Sequence, residues 1–285
     1  LDRSSAASDV YKRQVIYSFY IGAAILILCV IYTTVKVKEM PPAEYAEYHG
    51  ITEEEKKEKI NMVKLLVKAP KAFWTVGLVQ FFCWFAFMFM WTYTNGSVAA
   101  NVFDAPTVET VVNGASKIVL DTKSIQYQNA ADWVGVLFAV QAIGSVLWAV
   151  CIPMFKNRKL IYSLSLVLGG IGFISTYFVH NQYVLFISFL LIGCAWAAML
   201  ALPFTILTNA LSGGHMGTYL GLFNGTICIP QIVAATLGGS ILALFTPKGM
   251  LPPEINMLVM AGVMLIIGAV CVYLIKETKG EQAKA

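Results

Sequence analysis

Gln80, Trp84, Phe87, Trp91 and Asn95 follow one another at intervals of 4, 3, 4 and 4 residues. On an α-helix these intervals gather the side chains on one face. The face combines two indoles with two amides. An indole offers a flat apolar ring with one N–H at its edge, and an amide both donates and accepts hydrogen bonds. Such a set suits a polyhydroxylated ring compound, whose C–H faces stack on indole and whose hydroxyls need donors and acceptors. A plainer role competes for part of it. Trp91 and Tyr93 are residue types that anchor helices at the membrane surface. Trp84 lies nearer mid-segment, where an anchor has no purpose, and either lines a cavity or packs.

Further polar residues stand in apolar surroundings. Gln141 sits roughly ten residues into an apolar run, and an amide in lipid needs a partner, so it should face a bundle interior. There it serves either a substrate or a neighbouring helix. Downstream, Gly217, Gly221, Asn224, Cys228 and Gln231 recur every three or four residues. Gly217, Gly221 and Gly225 form two overlapping GxxxG steps, a pattern that favours close helix approach. Pro230 removes a backbone donor and crowds the carbonyl of Thr226, which predicts a bend. Gln231 stands beside that carbonyl, free to satisfy backbone or substrate. Asn224 is the better candidate for a direct polar contact. Pro203 predicts a similar bend one span earlier, next to Thr205, Thr208 and Asn209.

These residues must be held by membrane-spanning helices. Only 13% of the chain is charged, against about 25% in soluble domains, 58% is hydrophobic and the mean hydropathy is +0.70, which places it in the bilayer. Seven apolar runs read as spans, at 15–34, 73–98, 132–153, 160–179, 183–209, 216–245 and 255–275. The runs are continuous rather than alternating, which excludes a β-barrel. The fold class is therefore all-α membrane protein. Each of the six cysteines falls within an apolar run, away from any CxxC or His partner, and reads as a small hydrophobe.

Charge orients the spans. Segments 35–71, 154–159 and 276–285 hold fourteen Lys and Arg, against three, Lys117, Lys123 and Lys248, in the loops of the opposite side. The richer side is cytoplasmic, and so is the C-terminus. The stretch 1–14, "LDRSSAASDVYKRQ", breaks this pattern and has no apolar core of a signal peptide. It resembles translated sequencing-adaptor contamination and reads as extraneous. Residues 51–69 read as an amphipathic helix of the central cytoplasmic loop. Thr52 and Glu55 form its capping box, Ile60, Val63 and Val67 an apolar stripe, and Pro70 its stop. It acts either as a tether or as a regulatory element. The expected order is a span at 15–34, the loop at 35–71, a six-helix bundle at 72–275 and a cytoplasmic tail at 276–285.

One span, a basic loop and six further spans resemble the sixth span and the whole second half of a twelve-helix major facilitator protein, in which two bundles rock about a midplane site. The turn "FKNRK" (155–159) resembles part of that superfamily's short loop motif, with Asn157 where a Gly is usual. A longer likeness lies in "WAAMLALPFTILTNAL" (196–211) followed by "GTYLGLFNGTICIPQIVAA" (217–235). Gly221, Asn224, Ile227, Pro230 and Gln231 stand in register with a Gly-x-x-Asn-x-x-Ile-x-x-Pro-Gln pattern. It belongs to sugar:cation symporters of the sucrose/maltose type, which are related to glycoside–pentoside–hexuronide transporters. "VQFFCWFAFMFMWTYTNGSVA" (79–99) and "DWVGVLFAVQAIGSV" (132–146) are similar to that branch's seventh and eighth spans.

The resemblance implies cation-coupled uptake of a disaccharide or related glycoside by alternating access in a cell membrane, the bacterial inner membrane being expected. It implies an N-terminal half absent from this chain, which would hold the coupling carboxylate. The partners are then the sugar, a coupling cation of unspecified identity, the lipid bilayer and the other half. Substrate candidates are Gln80, Trp84, Trp91, Asn95, Gln141 and Asn224. Gly217, Gly221, Pro203, Pro230 and Gln231 shape or gate the path. No cofactor, metal site, enzymatic activity or nucleic-acid partner is expected, because the chain carries no P-loop, HExxH or clustered ligand set. His180 and His215 fall in turns. Two alternatives stay open: an exporter of the same superfamily, and a seven-span receptor. The receptor is disfavoured by the long loop after the first span and by the lack of a mid-span lysine in the last.

Overall fold

The computed structural model describes residues 2–38, 41, 44, 62–112, 115–211, 216–247 and 249–275. The chain forms two units, Leu1–Glu58 and Lys59–Ala285. The first contains helix α1 (Asp2–Lys36). Its segment Ile16–Lys36 is long and apolar enough to cross a membrane, and its side chains are exposed. Thr33 and Thr34 return their hydroxyls to the carbonyls of Cys29 and Val30, which answers these two donors within the helix. The helix contains the expected span at 15–34 and extends back through the adaptor-like stretch, whose backbone is helical from Asp2.

The second unit is a bundle of helices: α2 (Met62–Val67), α3 (Lys71–Asn101), α4 (Ile125–Cys151), α5 (Arg158–Ser175), α6 (Leu185–Ala210), α7 (Met216–Phe223), α8 (Gly225–Phe245) and α9 (Ile255–Cys271). With α1, the chain presents seven candidate spans, the sixth of them built from α7 and α8 together. The expected all-α membrane architecture is what the structure shows. At 31 residues α3 is ~46 Å long, well beyond a ~30 Å hydrocarbon core. It is the axis of the bundle and packs against α4, α6, α8 and α9, while α6 is wedged between α4 and α5, and α5 reaches α9. Phe73, Phe87 and Phe89 of α3 are buried among Phe173, Phe189 and Phe223 of its neighbours.

Several boundaries differ from expectation, each for a local reason. The span expected at 132–153 begins a helix at Ile125, because the Ser124 hydroxyl accepts from the N–H of Tyr127. Asp132, read as a helix start, therefore lies two turns inside α4. Asn157, unusual in the short loop motif, caps α5 by accepting from the N–H of Leu160 at 3.1 Å. Thr52, Glu55 and Ile60 lie outside the described residues. Val63 and Val67 of the expected stripe are exposed, whereas Leu65 and Leu66 turn inward. The Leu65 carbonyl accepts from the Tyr219 hydroxyl of α7. Of the cysteines expected within apolar packing, Cys83 and Cys194 are buried, but Cys29 and Cys228 are exposed.

The loop at 99–131 holds an element that went unforeseen: β1 (Thr107–Val112) pairs antiparallel with β2 (Ala115–Leu120), Thr107 opposite Leu120 and Val112 opposite Ala115. Asn113-Gly114 between β-branched runs is the standard sequence signal for such a hairpin.

Close helix approach occurs at small residues, but not at those expected. A Cβ on Gly193 of α6 would collide with the Gln141 carbonyl and stand 2.8 Å from the Ser145 nitrogen of α4. A Cβ on Gly170 of α5 would stand 2.9 Å from the Gly262 carbonyl of α9. By contrast, a Cβ on Gly217 or Gly221 would meet nothing within 4 Å. Among the described residues, the GxxxG steps at 217–225 therefore join no helices. Accordingly, Gly193→Ala is expected to destabilise the bundle by about 1–3 kcal/mol, since backbone rather than a flexible side chain must move, while Gly221→Ala changes little. Unfolding midpoints of the purified variants in detergent check this contrast.

Candidate functional site

The site is organised by α3 and α6, whose relation is set by one proline. Pro203 lies inside α6 and has no N–H for the carbonyl four residues back, that of Met199. Gln80, fully buried on α3, donates its amide nitrogen to that carbonyl at 2.9 Å. The hydrocarbon core of a bilayer offers no water, so a carbonyl freed within a membrane-spanning helix needs a protein donor. The bond ties α3 to α6 at a fixed height.

One turn further along α3 the indoles meet. Trp84 and Trp91 both approach Trp196 of α6, at centroid distances of 5.8 and 5.9 Å with near-perpendicular planes, and approach each other at 6.4 Å. Phe87 adds a fourth ring, 4.9 Å from Trp196. Trp196 can reach α3 because its neighbours are small: Gly193 and Ala195 let α6 sit hard against α4 and α5. Trp84 is buried, whereas Trp91 is 44% exposed, so the cluster grades from interior to surface.

Polar atoms on the same face of α3 are left unanswered. Among the described residues, the buried side-chain nitrogens and oxygens without a hydrogen-bond partner are Gln80 Oε1, Trp84 Nε1, Asn95 Oδ1 and the Tyr162 hydroxyl. Such atoms are rare in native proteins and carry a cost of about 1–3 kcal/mol each. Three of the four belong to residues singled out by their spacing. Together they offer two acceptors and one donor on the face that carries the rings. Tyr93, which competed for an anchoring role, is buried instead, and a Cβ on Gly238 of α8 would lie 2.5 Å from its hydroxyl.

The remaining candidates are placed differently. Gln141 of α4 is buried, and its backbone carbonyl abuts Gly193, one turn of α6 from Trp196. Asn224 is exposed at the junction of α7 and α8. There the helix is interrupted: the Asn224 N–H reaches only three residues back, to Gly221, at 3.2 Å, and its carbonyl accepts from both Ile227 and Cys228. The interruption falls at Asn224, six residues before the expected bend at Pro230, which lies buried within α8. Gly217, Gly221, Asn224 and Cys228 are all exposed and Gln231 is half-buried, so the small polar face forms as a face and is uncovered among the described residues. Trp196 stands alone in "GCAWAAM", so residue spacing does not single it out. Its only signal is a large ring set among small residues.

A family model described as Major Facilitator Superfamily matches residues 99–285, from the last turn of α3 to the end of the chain. Searches of curated proteins and of solved structures each found no significant match.

The proline-to-glutamine link yields a double-mutant prediction. Gln80→Leu is expected to cost about 1–2 kcal/mol by leaving the Met199 carbonyl unpaired. In a Pro203→Ala background the cost should shrink, because the N–H of residue 203 then answers that carbonyl. Equal costs in the two backgrounds, measured by denaturant titration in detergent, would refute the link.

Proposed function

The chain belongs to the major facilitator superfamily, a family of membrane transporters, and from that premise we propose that it carries a disaccharide or related glycoside inward, together with a proton or sodium ion, by alternating access. The observation that carries this reading is the cluster of Trp84, Trp91 and Trp196 beside unpaired Gln80 Oε1, Trp84 Nε1 and Asn95 Oδ1. Indole rings stack on sugar C–H faces, and the free acceptors and donor match hydroxyls. An exporter of greasy compounds would use the rings but gain nothing from unpaired amide oxygens. Gln141 and Asn224 are further candidate contacts, on α4 and at the α7–α8 junction.

The uncovered small polar face at Gly217, Gly221, Asn224, Cys228 and Gln231 fits a second bundle placed against it. In this reading α1 is the last span of that other bundle, residues 72–275 are the C-terminal half, and the lysine-rich ends and C-terminus face the cytoplasm of a bacterial cell. The short three-residue steps from Gly221 to Asn224 and on to Ile227 suit a helix whose ends tilt separately, and Pro203, Pro230 and Gln231 would set where it yields.

The test is uptake of labelled sucrose and maltose by vesicles containing the full-length protein, with an imposed proton or sodium gradient. Uptake should rise with the gradient, and no gradient-dependent uptake of any glycoside would overturn the reading. Trp196→Ala should raise the half-saturating sugar concentration by about tenfold, corresponding to loss of ~1.4 kcal/mol of stacking.

A further inference from the structure

The connection from α8 to α9 ends at Glu254, the residue before the last span. Its main chain is fixed: the Glu254 N–H donates to the Pro252 carbonyl at 2.9 Å, and the Glu254 carbonyl accepts from the Met257 N–H at 3.0 Å. Its side chain turns onto α3. A Cβ on Gly96 would collide with the carboxyl group and stand 2.8 Å from Oε1, so the carboxyl fills the notch that the missing side chain leaves. Gly96 and its neighbours Ser97 and Val98 are buried. Among the described residues no cation and no hydrogen-bond donor meets this carboxyl, and burial pushes its acid up to about 7. The free N–H groups opening α9 pull the other way, but burial prevails.

Its electrostatic surroundings are sparse. On α3, Tyr93 is the titratable group that feels the Glu254 charge, and Lys71 stands at the far end of that helix. Helices α6, α8 and α9 carry no charged residue. Those of α5, Arg158 and Lys159, begin the helix, at the end away from His180, whose ring meets the Asn101 carbonyl at 3.2 Å. Among the described residues no cation and no donor is positioned to stabilise a carboxylate in the notch.

We propose that Glu254 is a proton-binding site that latches α9 onto α3. With the proton on, the neutral carboxyl rests over Gly96 and the two helix ends are seated together. When the proton passes to water, the carboxylate leaves the notch for solvent and the start of α9 loosens from α3. The latch is independent of the proposed substrate, and its tests use none.

The sign of the pH effect follows from linkage. The folded chain holds this proton to a higher pH than the unfolded chain, whose glutamate titrates near 4.5. Stability from the seated carboxyl is therefore complete below about 4.5 and is lost as pH rises to about 7. Infrared difference spectra of the chain in lipid vesicles should show a carboxylic C=O band that titrates near 7 and is missing in Glu254→Gln. Gly96→Ala should drive the carboxyl into water and return the midpoint to the ordinary carboxylate range. Hydrogen exchange, corrected for intrinsic pH dependence, should show protection at the start of α9 falling between pH 5 and pH 8 in the wild type and staying constant in Glu254→Gln. A band that persists in Glu254→Gln, a wild-type midpoint in the ordinary range, or the same fall in protection in both proteins would overturn the proposal. Failure here would leave gradient-driven sugar uptake untouched, and failure of uptake would leave the latch untouched.

Discussion

A carbonyl released inside a membrane-spanning helix must be answered by protein, because the hydrocarbon core offers no water. Pro203 releases the Met199 carbonyl, and Gln80 answers it from the neighbouring helix at 2.9 Å. That bond sets the height of α3 against α6. The meeting of Trp84 and Trp91 with Trp196 follows from it, since the indoles lie one to three turns away on the same two helices. A leucine at position 80 would bury as well, but it would leave the carbonyl unpaired and the register of α3 unfixed.

Lateral spacing has a different cause. In lipid there is little hydrophobic drive for helices to associate, so contact rests on how closely backbones approach. The tight seams lie at Gly193 against Gln141 and at Gly170 against Gly262, where no side chain larger than hydrogen fits. These seams bring α6 against α4 and α5 against α9, while Trp196 projects from α6 onto the rings of α3. The same principle explains Gly96. Its missing side chain admits a carboxyl group from the α8–α9 connection, where a larger residue would have excluded it.

The interrupted span made of α7 and α8 contrasts with these seams. Its small polar residues share a face, and among the described residues a Cβ on Gly217 or Gly221 would meet nothing within 4 Å. Gly217, Gly221 and Asn224 lie exposed while Pro230 is buried, so this helix turns its proline rather than its small polar residues toward its own bundle.

Much of this was legible in the residues themselves. Apolar run length determines how many helices can span a bilayer, and intervals of three and four determine which residues share a face, because both depend only on local helical geometry. Gln80, Trp84, Phe87, Trp91 and Asn95 therefore emerged as one face, and a hairpin at Asn113-Gly114 was equally available to be read. What lay beyond the sequence were pairings between segments far apart in it. That Gln80 answers a carbonyl 119 positions away, that Trp196 completes the indole group, that glycines at 193 and 170 rather than 217 and 221 join helices, and that Glu254 rests over Gly96 were decided by tertiary packing. Local spacing fixes the face a residue occupies, but only the packed bundle decides which partner that face meets.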